Sequence, residues 1–298
     1  MLPSEMRMLL PAVVAYLSAM LPLPSLGMEP HDAATAVRAD TPATVESLFR
    51  KGKAYAQGDG VKRDLAKAIA CYRKAADMGD PRAQVNLAMY YLAGSGISKD
   101  EAQGAEWMKR AADLGSDVAL MNLSRLYRDG RGVPKDAGKS FDFLEKAAAM
   151  GLPEAEFRLG EWLYFGECGG KRDYEKSAQW LGKASEHGNA AAANRLALMY
   201  ESGQGVAVSL DEAVRLFRKS AEQGCPQGEF NLGRLYAIGN GVPKDPVQTY
   251  MWLKLAANQK DIMAVKLLAD FSPGMTKEQI EKGEDLARKF QANVQARP

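Results

Sequence analysis

The sequence predicts an all-α chain folded as an α-solenoid of stacked helical hairpins, and three observations predict it. A glycine-rich segment recurs at nearly constant spacing, large rings recur at fixed distances on either side of it, and the residues between carry helical periodicity.

The recurring segment reads QGDGVKRD (57–64), AGSGISKD (93–100), DGRGVPKD (129–136), SGQGVAVSLD (202–211) and IGNGVPKD (238–245), with FGECGGKRD (165–173) as a distorted copy. Its leading glycines, Gly58, Gly94, Gly130, Gly166, Gly203 and Gly239, are separated by 36, 36, 36, 37 and 36 residues. Just before them stand Tyr55, Tyr91, Tyr127, Leu163, Tyr200 and Tyr236. After them come Tyr72, Trp107, Phe143, Trp180, Phe217 and Trp252, followed by small residues as in Lys74-Ala75-Ala76 and Lys146-Ala147-Ala148. A second glycine closes the unit at Gly79, Gly115, Gly151, Gly188 and Gly224.

Each unit therefore reads as two helices joined by the glycine-rich turn. In Gly79-Asp80-Pro81 the glycine suits the left-handed residue after a helix, the aspartate accepts amide hydrogen bonds as an N-cap, and proline fits the first helical position. Within the turn the glycines permit positive φ, and Asp64, Asp100, Asp136 and Asp245 are placed to cap the second helix. The basic residues of the turn read as solvent-facing. Leu87, Tyr90 and Tyr91 then share one helical face, and Ala105, Met108, Ala111 and Ala112 another. One hairpin cannot bury such a face alone, so the units must stack.

Bulk properties narrow the function. At 298 residues and 46% hydrophobic the chain is able to bury a substantial core. Lys plus Arg total 39 against 37 Asp plus Glu, so there is no basic field for nucleic acid. Cys71, Cys168 and Cys225 form no close pair, and with His31 and His187 they make no run of metal-ligand spacing, so no metal or cofactor is expected. Cys71 reads as a core residue, Cys225 as a thiol at a helix N-terminus, and His187 as a surface residue near a helix end. Cys168 and Cys225 fall at opposite ends of their hairpins, out of disulfide reach.

Met8 to Met20, MLLPAVVAYLSAM, is too short to span a bilayer and follows Arg7. It reads as the core of a signal peptide over 1–27, rather than as a buried first helix, because Pro22 and Pro24 would break a continuing helix. Small residues permit cleavage after Gly27 or after 36, with a linker over 28–41. The expected location is periplasmic or secreted, with no stable membrane span.

The pattern A-x-x-x-L-G-x-x-Y-x-x-G-x-G-V-x-x-D…K-A-A-x-x-G resembles the Sel1-like repeat, a relative of the tetratricopeptide repeat, over residues 42–260 in six copies. The resemblance implies a right-handed solenoid. The tail over 261–298 is similar to the end of bacterial members: Tyr250-Met251-Trp252-Leu253, then a polar helix entered at Thr276 with Gln279 at capping-box spacing and an apolar stripe through Ile280, Ala287 and Phe290. It is expected to cap the stack.

One row of donors stands out. Arg50, Asn86, Asn122, Arg158, Arg195 and Asn231 each precede a turn glycine by eight residues, and Arg125, Glu161 and Arg234 lie one turn on. By resemblance the first helices line a concave groove, so these residues are candidates to hold the backbone or carboxylates of a bound peptide. The alternative is that they bond between neighbouring repeats and hold their register. The turns themselves do not read as phosphate cradles, because their basic residues vary and the order G-x-x-x-x-G-K-[ST] never occurs.

The resemblance implies a protein-interaction scaffold or adaptor, here of the bacterial cell envelope, with a protein or peptide partner and no catalytic residue. The alternative implied by cysteine-rich relatives is β-lactam binding or hydrolysis. Against it, the chain has no S-x-x-K, S-D-N or K-T-G, and lacks the paired cysteines of that subgroup.

Overall fold

The computed structural model describes residues 44–167 and 170–295. The apolar segment 8–20, both cleavage positions, the linker over 28–41 and Cys168 lie outside the described residues.

Twelve helices of 13 residues each form six hairpins: α1 (Val45–Gln57) with α2 (Leu65–Asp77), α3 (Pro81–Ala93) with α4 (Glu101–Asp113), and α5 (Asp117–Asp129) with α6 (Ala137–Ala149). The series continues with α7 (Pro153–Phe165) and α8 (Tyr174–Glu186), α9 (Ala190–Ser202) and α10 (Leu210–Glu222), and α11 (Pro226–Ile238) and α12 (Pro246–Asn258). Each helix is about 20 Å long. Every second helix packs on its own partner and on the first helix of the next hairpin, so the core runs through the stack.

Local chemistry fixes both ends of these helices. Asp64, Asp100 and Asp136 accept the backbone N–H three residues on at 3.0, 2.9 and 2.9 Å, and Asp245 accepts from Val247 and Gln248. The same aspartates donate their own N–H to the carbonyls of Tyr55, Tyr91, Tyr127 and Tyr236. This bond closes each turn, which is why tyrosine and aspartate keep a constant separation. Asp80 caps α3 as the Gly79-Asp80-Pro81 chemistry requires, with Gly79 at φ 89°.

Rings and alanines alternate through the core. Tyr72 packs against Phe49 and Tyr90 at centroid separations of 5.8 and 6.1 Å, and Tyr127 stacks on Phe143 at 5.5 Å. Leu87, Met108, Leu123, Leu159, Leu181 and Phe217 are sealed from solvent. Alanine at positions such as Ala75, Ala111 and Ala147 lets the helices approach closely enough for those side chains to interlock.

The second glycine of a turn has a role beyond its φ. A Cβ on Gly132 would stand 1.9 Å from the Glu101 carbonyl oxygen, so the turn of one repeat rests on the start of the second helix of the repeat before it. Gly205 rests likewise on the backbone of Tyr174.

After the hairpins come α13 (Ile262–Phe271), a short 3-10 turn at Ser272–Gly274 and α14 (Lys277–Gln295). Thr276 and Gln279 form the reciprocal capping box: the Gln279 side chain accepts from the Thr276 N–H at 3.0 Å, and the Thr276 hydroxyl from the Gln279 N–H at 3.2 Å. α14 packs chiefly against α12, burying Ala287 and setting Phe290 edge-on to Trp252.

Arg131 is exposed, as expected, and also pairs with Glu101 at 3.0 Å and donates to the Leu92 carbonyl at 3.4 Å, tying its turn to the preceding repeat. One expectation needs correction. Cys71 is half-buried rather than core, because it sits at the margin of the α2 face that Tyr72 and Ala75 bury; partial burial still pushes its thiol pKa up.

Candidate functional site

The six donors of the row occupy the sixth residue of α1, α3, α5, α7, α9 and α11. Their surroundings divide them into two kinds.

Toward the C-terminal half the side chains link one repeat to the next. Arg195 bonds Glu161 at 2.9 and 3.0 Å and lies 5.2 Å from the rings of both Tyr164 and Phe165. Glu161 is 7% exposed, and Arg195 reaches its Oε1 from the neighbouring repeat. Asn231 donates to Asn194 Oδ1 at 2.9 Å, both residues being buried. Arg234 grips Glu201 with bonds of 2.7 and 2.9 Å. Near the N-terminal end, the Asn86 side chain lies beside the Tyr72 hydroxyl of the preceding repeat.

The remaining members stay within their own helix. Arg50 pairs with Glu46 at 2.7 Å, a carboxylate that Arg82 of the next repeat also holds. Asn122 donates back to the Val118 carbonyl at 2.8 Å, Arg158 pairs with Glu154 at 2.8 Å, and Arg125 is exposed. Half-exposed i,i+4 pairs of this kind are weak and readily exchanged. Asn122, Arg125 and Arg158 thus make a donor patch at facing positions of α5 and α7, and among the described residues no neighbouring repeat hydrogen-bonds or pairs with them.

Two buried acids escaped the sequence reading. Glu156 and Glu229, each 1% exposed, lie in the first turns of α7 and α11. Glu156 meets His187 Nδ1 at 2.8 Å, so the histidine is exposed on one side and anchored on the other. Glu229 accepts from Gln259 at 2.9 Å. Burial, only partly offset by that bond and reinforced by the charge of Asp261, pushes the Glu229 carboxyl up to about 7. A signal existed in the repeat alignment, since the equivalent positions are Gln84, Leu120 and Ala193, but an acid near a helix N-terminus ordinarily reads as a surface residue.

Cys225 is the N-cap of α11, and its Sγ donates to the Gln227 side chain at 3.2 Å. Among the described residues no group of three or more His, Cys, Asp or Glu is arranged to hold a metal ion, and no helix is long and apolar enough to cross a membrane.

The Sel1 repeat family model matches residues 45–80, 81–116, 117–152, 153–189, 190–225 and 226–261, one match per hairpin. The chain belongs to the Sel1 repeat family. A Sel1 repeat protein from Oxalobacter formigenes has the same fold, with a TM-score of 0.69 and 30% identity over 76% of this chain and 66% of that one. An uncharacterised Neisseria meningitidis protein is 33% identical over 119 residues, which is 40% of this chain and 24% of its own length. The Arabidopsis thaliana ERAD-associated E3 ubiquitin-protein ligase component HRD3B is 36% identical over 92 residues, 30% of this chain and 14% of its own. This Sel1 repeat protein therefore spans a quarter or less of those two relatives. Sel1 repeats are protein-interaction modules, and the partner surface is what the stack offers.

Proposed function

We propose that this Sel1 repeat protein is a scaffold or adaptor of the bacterial cell envelope that holds a peptide or protein segment along the first helices of its third and fourth repeats. The observation carrying the reading is the donor patch Asn122, Arg125 and Arg158. Arg195, Asn231 and Arg234 spend their hydrogen bonds on neighbouring repeats, and Arg50 shares Glu46 with Arg82 of the next repeat, whereas these three side chains are held only weakly or not at all. Guanidinium and amide groups spaced along adjacent helices suit the carbonyls and carboxylates of an extended segment. The envelope location rests on the apolar segment 8–20 and the small residues after it.

The test is crosslinking and mass spectrometry in the native host, comparing the wild type with an Asn122→Ala/Arg158→Ala double variant. Loss of crosslinked partner at an unchanged melting temperature supports the reading. A lowered melting temperature with partner capture intact assigns the patch to stability and overturns it.

A further inference from the structure

A cleft of ≈ 550 Å³ lies between α8 and α10, floored by the C-terminal turns of α9 and well apart from the donor row in composition. Its origin is a break in the repeat pattern. At the ninth residue of the second helix the repeats carry Arg73, Lys109, Glu145, Gly182, Arg218 and Lys254. Eighteen residues after each, at the junction with the next hairpin, stand Tyr91, Tyr127, Leu163, Tyr200, Tyr236 and Ser272. Arg73 donates to the Tyr91 hydroxyl at 2.7 Å, and Arg218 to the Tyr236 hydroxyl at 3.2 Å. Every junction tyrosine but one thus follows a cation at this place. The exception is Tyr200, whose counterpart is Gly182.

At that place there is open space beside a tyrosine hydroxyl without a protein partner among the described residues. A Cβ on Gly182 would meet nothing within 4 Å. The Tyr200 side chain lines the cleft with no hydrogen-bond partner among the described residues. Ser185, also lining it, stands where the other repeats have Ala76, Ala112, Ala148, Ala221 and Ala257. It is 2% exposed, and its hydroxyl is sealed in the packing without a hydrogen-bond partner among the described residues, a second departure of this repeat from the pattern of the others.

The charges of the cleft are unequal in availability. Its cations are engaged: Lys183 lies 4.0 Å over the Trp180 ring, Lys219 donates to the Ser185 carbonyl at 2.6 Å, and Arg215 pairs with Glu212 at 2.7 Å. Its carboxylates, Glu175 and Glu186, are exposed and have no ion pair among the described residues.

We propose that this cleft receives an arginine side chain from a protein partner, whose guanidinium takes the place that Arg73 and Arg218 fill at other junctions. A planar fork of five donors suits the acceptors nearest the Gly182 gap, the Tyr200 hydroxyl and the exposed Glu186 carboxylate one turn on. The site is separate from the donor patch, so either can fail without the other.

The probe is N-acetyl-arginine amide, titrated into the full chain and followed by amide NMR shifts. The neutral isostere N-acetyl-citrulline amide and inorganic phosphate serve as comparisons. Saturable millimolar binding of the arginine probe alone, with shifts confined to Gly182, Ser185, Tyr200 and their neighbours, is the expected result. Gly182→Arg supplies the missing guanidinium from within; it should melt higher than wild type and weaken the probe by at least about tenfold. Gly182→Ala should also melt higher, through helix propensity, yet keep the probe's affinity. Equal response to citrulline, shifts with phosphate in place of arginine, or undiminished binding by Gly182→Arg would each overturn the proposal.

Discussion

Glu229 accepts a hydrogen bond from Gln259 at 2.9 Å across the sixth hairpin, and that single bond is the main compensation for a carboxyl only 1% exposed. Its folded pKa of about 7 lies above the ordinary 4.5, so the native state binds the proton more tightly than the unfolded chain does. Stability contributed by this group is therefore present in full below the ordinary value and lost as pH rises through about 7. At about 1.4 kcal/mol per pH unit the penalty at pH 8 has an upper limit of about 3 kcal/mol. Glu229→Gln keeps the acceptor for Gln259 and should gain up to that amount at pH ~8 and nothing at pH ~4. Urea unfolding at the two pH values checks it, and an equal effect at both would refute the assignment.

The Arg195–Glu161 pair joins the fifth repeat to the fourth. Arg195→Ala leaves a 7% exposed carboxylate without its cation, which should cost about 2–4 kcal/mol. Because repeats contact only their neighbours, the loss should appear first as faster hydrogen exchange in α7 to α9, with α1 to α4 unchanged. Uniform acceleration along the chain would show that the pair supports the whole stack instead.

Two glycines with similar φ should respond very differently to alanine. Gly115, at φ 80°, has open space where a Cβ would go, so Gly115→Ala should cost only the left-handed strain of about 1–2 kcal/mol. Gly132, at φ 68°, would drive its Cβ into the Glu101 carbonyl, and Gly132→Ala should exceed about 4 kcal/mol. Thermal melts of the two variants side by side decide the matter; similar midpoints would sink the packing argument.

The turns and caps were legible because their chemistry is local. Asp136 needs only the amide of Lys139, and Gly79 needs only its own φ. What stayed hidden depends on residues about one repeat apart. Arg131 faces solvent as its turn suggests, yet its pairing with Glu101, 30 residues away, has no local signal. The donor row was found as a row, but its division into register-holding and unengaged members follows from acids such as Glu161 and Glu201, which have no recurring signature. Gly182 carries no signal of its own for a similar reason: a missing side chain is a gap only relative to contacts such as that of Arg73 with Tyr91.

The packing of α14 on α12 sets a limit of another kind. A stack of like units is in principle a polymer, able to grow wherever an apolar helix face stands bare. Here Phe290 lies edge-on to Trp252 at 5.2 Å, and the helix comes so near that a Cβ on Gly283 would touch the Tyr250 ring at 2.8 Å. The face of α12 on which another copy would add is already occupied. That face of α12 is thereby withdrawn from contact with a second copy or a partner.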